Sequence, residues 1–272
     1  DADSTVDHDV LRHMVGPFQD ATVGAVAGNV VVRNGDESLL TFLQTAEYKL
    51  GIELSKRWLD RSGRVLGASG ACCAFRRTAL VSLGGSSSSR GEDLDNSLMI
   101  RKAGYRLVFR PEAIVRTEVP ATYRRLWRQR ERWDRDVVQV AFRKQNSLMD
   151  PRTAGWALAS ELWLQCLLTI VIPYTSLLWL VVMARSSPGL LLIVLSLTTC
   201  FSAIVNLVAL SVTIRCSIDH DWRLLGAAPF LPLYSTFVLG PIRLWSTTVE
   251  LLRIRREEPY LPQSYWRNAR LP

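Results

Sequence analysis

Two long apolar runs separated by a tight turn set the strongest limit on how this chain can fold. Residues 157–183 carry a single charge, Glu161, with Gln165 also near the start, and residues 190–214 carry none. Each is long enough as a helix to cross a hydrocarbon layer of about 30 Å. The turn Arg185-Ser186-Ser187-Pro188-Gly189 makes them a hairpin. Residues 1–122 are then read as a separate soluble domain, 123–156 as the region that joins it to the spans, 157–252 as a transmembrane region and 253–272 as a basic tail.

Charge refines this division. With 33 Lys and Arg against 25 Asp and Glu the net charge is +8. The arginines crowd beside the apolar runs instead of forming a soluble basic stripe, which points to a lipid bilayer and its headgroups and away from nucleic acid. Arginines and Lys144 mark the entry to the first run and only Arg185 the far turn, so the positive-inside rule places the soluble domain in the cytoplasm at a cell membrane. The five cysteines form no CxxC pair, and two lie in apolar runs, so neither a disulfide framework nor a zinc site is expected. A third stretch, residues 224–246, carries Pro229, Pro232 and Gly240-Pro241. It reads either as a third span or as a re-entrant or interfacial segment, because broken backbone at membrane depth needs protein or a water-filled cavity to cover it.

Upstream, strand-like and helical periods alternate. Val10, Leu11, Met14, Val15 and Phe18 follow a helical period that Ser4 or Thr5 would cap. Residues 23–32 form a buried-strand run. Residues 37–58 read as one long helix with Leu39, Leu43, Ala46 and Leu50 on one side. Residues 64–75 read as a strand passing through a Gly67-Ala68-Ser69-Gly70 turn. Residues 84–91 form a flexible Gly/Ser loop leading to a helix over 94–103, and residues 105–109 a strand that stops before Pro111. This alternation predicts an α/β domain with a largely parallel sheet.

Three groups in this frame could carry chemistry. Asp1 and Asp3 are carboxylates one residue apart that could hold a hard divalent cation, although acids near a helix start need no ligand. Glu92-Asp93 opens a helix after the Gly/Ser loop; an acid there could serve as general base or simply favour the positive helix end. Asp7-His8-Asp9 does not share a face and is assigned to capping. Gln129, Arg132 and Trp133 stand at i, i+3 and i+4 of a helix, a face suited to phosphate and sugar. The bland alternative is a basic amphipathic helix lying on anionic lipid, with Leu126, Trp133 and Val137 facing down.

In this order, Asp-x-Asp, Glu-Asp and Gln-x-x-Arg-Trp followed by apolar spans resemble the membrane-embedded family-2 glycosyltransferases, the synthases of hyaluronan, chitin oligosaccharides, cellulose and poly-N-acetylglucosamine. Val26-Ala27-Gly28-Asn29-Val30, Gln44-Thr45-Ala46-Glu47-Tyr48, residues 70–76 and Thr117-Glu118-Val119-Pro120 are also similar. The resemblance implies a partial GT-A-type domain followed by a helical membrane region. The donor would be a UDP-sugar and the acceptor a growing β-linked polysaccharide, exported through the membrane region; a single transfer to a lipid is the alternative. Asp3, assisted by Asp1, would hold Mg²⁺ or Mn²⁺, and Asp93 would be the base of an inverting transfer. Gln129 and Arg132 would meet the diphosphate and Trp133 the acceptor, with Glu92 beside the base and Ser69, Gly70 and Cys72 lining the acceptor side. An upstream half carrying the first nucleotide-binding strand is missing from this stretch, which by itself is expected to bind donor poorly. Asp134-Arg135-Asp136, where the family often has small residues, is expected to face solvent.

Overall fold

The computed structural model describes residues 3–87 and 91–253. Its sheet has four strands, β1 (Ser4–Val6), β2 (Val23–Val32), β3 (Cys73–Phe75) and β4 (Arg106–Thr117), in the order β1-β4-β2-β3. All ten residues of β2 are buried, as expected of a central strand covered on both faces. Its alternation sends Val26, Val30 and Val32 to one core with Val108, Val115 and Cys72. Ala25 and Ala27 go to the other, with Val65, Ile100, Leu107 and Phe109.

The sheet is less parallel than expected. β2 and β4 pair parallel, but β1 pairs antiparallel with β4 and β3 with β2. Of residues 64–75 only Cys73–Phe75 become strand, because the turn before them is taken up by bonds to a helix described below. β4 instead runs through Pro111. Gly28 pairs with Arg110 and Asn29 with Ile114, so Pro111, which has no N–H for the ladder, falls in a bulge.

Helices cover the sheet. α1 (Val10–Val15) buries Val10 and Met14 and leaves Leu11 and Val15 exposed. Asp9, not Ser4 or Thr5, takes its N-cap position, and it makes no capping bond, because residues 4 and 5 are already committed to β1. The long helix is present over residues 39–61, as α2 (Leu39–Tyr48), a π-helical stretch (Lys49–Leu54) and α3 (Ser55–Arg61). Ser38 and Thr41 close a capping box at its start. The π turn rotates the buried face, so Lys49 and Glu53 lie inside as an ion pair at 2.9 Å, while Leu39 is exposed. α4 (Arg77–Ser82) and α5 (Glu92–Lys102) follow. The Gly/Ser loop is anchored over its described part: Ser87 N donates to Asn96 Oδ1 at 2.7 Å, and Asn96 Nδ2 to Ser86 Oγ at 2.8 Å.

α6 (Tyr123–Asp136) carries the basic run and continues through a π-helical stretch, Val137–Lys144. The first apolar run is α7 (Pro151–Cys166), a π-helical turn and α8 (Ile172–Ser186); the second is α9 (Pro188–Cys216). The π turn precedes Pro173, which cannot donate in a regular helix. Pro151–Ser186 and Pro188–Cys216 are the two helices among the described residues long and apolar enough to cross a membrane. Most of their apolar side chains face outward, with Leu192 67%, Leu197 65% and Phe201 68% exposed, while Leu158, Leu162, Leu210 and Ile214 near the ends toward the sheet domain are buried.

The third stretch is different. After a 3₁₀ turn at Trp222–Ala227 it runs through α10 (Leu231–Leu233) and a π-helical turn into α11 (Gly240–Leu251), which packs beside α6. Leu224, Leu231, Tyr234 and Ile242 are buried with Leu43 and Ala46 of α2, Leu126 of α6, and Leu210 and Ile214 of α9. Much of its apolar character therefore serves a protein core that ties α2 and α6 to the hairpin.

Candidate active site

Glu92 and Asp93 form the first turn of α5, where the helix dipole favours acids. Gly91 before them has φ +65°, and a Cβ there would lie 3.0 Å from Cβ of Asp136. Only glycine lets α5 start this close to the continuation of α6. Asp93 Oδ1 accepts from the Leu94 amide and Oδ2 from the Gly70 amide, each at 2.8 Å. The turn holding Gly70 is fixed to the same helix again: Ala68 N donates to Ser97 Oγ at 3.0 Å, and Ser97 Oγ to Asp93 O at 2.6 Å. Residues distant in sequence, Ser69-Gly70 and Glu92-Asp93, are thus one unit. Cys72 belongs to it differently from what was expected. It is 4% exposed and points into the core, with its sulfur 3.7 Å from the Ala113 carbonyl oxygen, and burial pushes its thiol up to about 11. It supports the turn from within and offers no open acceptor surface.

On α6, Gln129, Arg132 and Trp133 share a face. Gln129 is half-buried, and its amide oxygen has no hydrogen-bond partner among the described residues. Arg132 is exposed. Trp133 packs against the core that contains Tyr48, with ring centroids 6.5 Å apart at 46°. The Arg130 guanidinium lies 4.4 Å from the Trp133 ring centroid and 5.8 Å from that of Tyr48, and pairs with Glu47 at 3.0 Å. Glu47 also accepts from the Tyr234 hydroxyl at 3.0 Å. Burial, with Glu47 and Asp3 adding to it and Arg130 opposing, pushes the Tyr48 hydroxyl up to about 12. Asp3 is therefore within electrostatic reach of the Tyr48–Trp133 pair.

This geometry corrects the lipid-facing alternative. Leu126 is fully buried and Trp133 packs on the core, so they do not form a downward apolar face. The outer side of α6 instead presents Tyr123, Arg124, Trp127, Arg128 and Glu131, which with Trp245 of α11 line an open groove. Asp134-Arg135-Asp136 does not face solvent either, because α11 meets Asp134 and Arg135 and the head of α5 lies against Asp136. Arg135 is 4% exposed and meets Glu250 at 3.1 Å, Arg143 meets the same carboxylate at 2.9 Å, and Arg243 lies 3.6 Å from Asp134. Lys144 meets buried Asp95 at 2.5 Å. Several cations assigned to headgroups in the sequence thus neutralise internal acids.

Asp3 is exposed, immediately precedes β1, and accepts from Ser4 Oγ at 3.1 Å. Asp1 lies outside the described residues. Asp7 pairs with Arg116 at 3.2 Å and His8 is exposed, so that trio is structural. Among the described residues no group of three or more His, Cys, Asp or Glu is placed to hold a metal. The local donor is a single hard carboxylate, the type that binds Mg²⁺ or Mn²⁺ together with substrate phosphates.

Two functional neighbours escaped the sequence reading. Lys56 of α3 donates to Ser69 Oγ at 2.8 Å, and burial lowers its ammonium to about 8 while Asp93 opposes the shift. Arg130 was one of six arginines in residues 123–135. Neither has a distinguishing sequence signal, since only packing sorts one lysine or arginine from its neighbours.

A GT-A-like glycosyltransferase fold accounts for this sheet, with its acid-headed helix and flanking turn. The chain belongs to glycosyl transferase family group 2, which it matches over residues 1–216. It is 35% identical over 151 residues to an N-acetylglucosaminyltransferase of Rhizobium meliloti, covering 52% of this chain and 35% of that protein. It is 36% identical over 145 residues to a poly-beta-1,6-N-acetyl-D-glucosamine synthase of Staphylococcus aureus, covering 53% and 35%. The matched part spans about a third of these relatives' lengths. Among solved structures, the mannosyltransferase PcManGT of Pyrobaculum calidifontis, in complex with GDP-Man and Mn2+, superposes with a TM-score of 0.59 at 17% identity. That match covers 92% of this chain and 62% of the mannosyltransferase, and shows the shared fold.

Proposed function

We propose that this chain carries the acceptor side of an inverting transferase that moves N-acetylglucosamine from a UDP-sugar to the end of a growing β-linked polysaccharide. One observation carries the reading: the Asp93 carboxylate is held by the Gly70 and Leu94 amides at the start of a helix packed against the continuation of α6. Such fixed donors orient a carboxylate while leaving lone pairs to receive an acceptor hydroxyl's proton. The relatives' names support the sugar, and the two outward-apolar helices support a bilayer setting; export of the product through that bilayer is part of the proposal.

Asp93 takes the proton as the acceptor oxygen attacks the anomeric carbon and the nucleoside diphosphate leaves. Arg132, exposed on α6, would pair with that diphosphate. Gln129 holds a buried amide oxygen without a partner among the described residues; an acceptor of this kind suits a sugar hydroxyl better than a phosphate oxygen, which brings no proton of its own. Trp133, braced by Arg130 and Tyr48, offers the sugar a flat apolar edge. Asp3, with Asp1, would hold Mg²⁺ or Mn²⁺, whose charge offsets that of the leaving diphosphate.

The test uses the full-length enzyme in membranes. Asp93→Asn should abolish UDP release from UDP-N-acetylglucosamine, and wild-type product on a gel should form a ladder of lengths. Unchanged UDP release in the variant would remove Asp93 as the base. A single one-sugar lipid product would instead assign the enzyme to lipid glycosylation.

A further inference from the structure

Among the described residues Lys56 is the cation hydrogen-bonded directly to the turn that grips Asp93, and the reaction as derived gives it no task. Its route to the base is short. Nζ donates to Ser69 Oγ at 2.8 Å, and the next residue, Gly70, donates its amide to Asp93 Oδ2 at 2.8 Å. An ammonium has three donors, and one is used among the described residues. The groups facing it from packed elements are Asp93 of α5 and the Cys72 and Cys73 thiols of the turn. Along its own helical run, Glu53 is engaged by Lys49 and Arg57, and Asp60 accepts from the Phe109 amide. Burial raises both thiols to about 11, so they stay neutral near neutral pH. The Asp93 carboxylate is then the anion that Lys56 answers.

We propose that Lys56 is a positioning residue for the transfer reaction: it clamps the Ser69–Gly70 turn that holds Asp93, and its charge favours Asp93 as the anion that receives the acceptor's proton. This rests on the assignment of Asp93 as base. A positive charge beside a carboxylate stabilises its anionic form, the form that can accept a proton. Location inside a desolvated turn strengthens that effect relative to a surface lysine. The same burial costs stability whenever the amine is charged, which is why a structural role alone explains the residue poorly.

The deciding experiment measures initial UDP release by the full-length enzyme against pH for wild type, Lys56→Arg, Lys56→Met, Ser69→Ala and Asp93→Asn. Lys56→Met should move the acid limb of kcat upward, with a severalfold loss of activity below it. Lys56→Arg, which keeps the charge, should restore the wild-type limb. Ser69→Ala should lower kcat severalfold and leave the limb in place, since it loosens the turn without removing charge. Thermal unfolding of each variant separates these effects from misfolding. If Asp93→Asn is inactive but Lys56→Met keeps the wild-type profile, or Arg and Met are displaced equally, the role given to Lys56 is wrong. An active Asp93→Asn would overturn the assignment of the base itself.

Discussion

Arg130 lies over Trp133, its guanidinium carbon 4.4 Å from the ring centroid, so a residue left open in the Gln-x-x-Arg-Trp pattern holds the tryptophan that the pattern specifies. The same guanidinium pairs with Glu47, and through it α2 and the Tyr234 hydroxyl are joined to the site. Trp133 is therefore braced from three elements before any substrate arrives.

Arg130→Met should cost activity with little change in fold. A partly buried cation–π contact contributes on the order of 1–2 kcal/mol, so a loss of roughly tenfold in kcat/KM is expected. Arg130→Lys should recover only part of it, because the ammonium cannot stack on two rings and fork to Glu47 together. Steady-state kinetics on the pair checks this.

Glu250 is 3% exposed and takes both Arg135 and Arg143. Glu250→Ala withdraws the carboxylate from a buried guanidinium and should destabilise the junction of α6 and α11 by about 3–5 kcal/mol. Denaturant unfolding in detergent reads the loss. A double-mutant cycle with Arg143→Met should show that the two changes are not additive.

Gly28 stands where a Cβ would come 2.1 Å from the Cys72 sulfur and 2.7 Å from the Ala113 carbonyl oxygen. Gly28→Ala should destabilise by roughly 1–3 kcal/mol or more, as overpacking does. Adding Cys72→Ala should recover part of the loss and not all, since the backbone oxygen remains. Melting temperatures of the single and double variants decide it.

Lys56 also gives stability a pH dependence with a definite sign. Its folded ammonium, lowered chiefly by burial to about 8, binds its proton less tightly than in the unfolded chain, where the ordinary value is 10.5. Between those values the unfolded state holds more protons, so this residue's contribution makes stability rise with pH. Below about 8 both states are protonated and the burial penalty is fully present. Lys56→Met should therefore be more stable than wild type at neutral pH, and the gap should shrink toward pH 10.5. Denaturant midpoints across that range measure it.

Local pattern made much of this protein legible. Ten consecutive buried residues in β2, the two outward-apolar helices and the shared face of Gln129, Arg132 and Trp133 follow from periodicity and hydropathy alone, because these depend on neighbours a few residues apart. The acid at the head of α5 was visible for the same reason. The course of β4 through Pro111 was not, since the bulge that accepts it exists only once β2 is alongside. Nor was the burial of Arg135, whose counter-charge arrives from Glu250, 115 residues later. The outward role assigned to Asp134-Arg135-Asp136 failed because a charge run in one dimension carries no mark of what will cover it.

By itself, then, the sequence determined the class of fold, the hairpin of apolar helices and the order of the acid and Gln-x-x-Arg-Trp motifs. Tertiary structure alone decided which turn grips Asp93, which arginine braces Trp133 and where the third apolar stretch is buried. The physical reason is the same in each case. Propensity and periodicity act within a turn of helix or strand, whereas an ion pair, a stacked guanidinium or a shared carboxylate depends on groups that become neighbours only after the chain has folded.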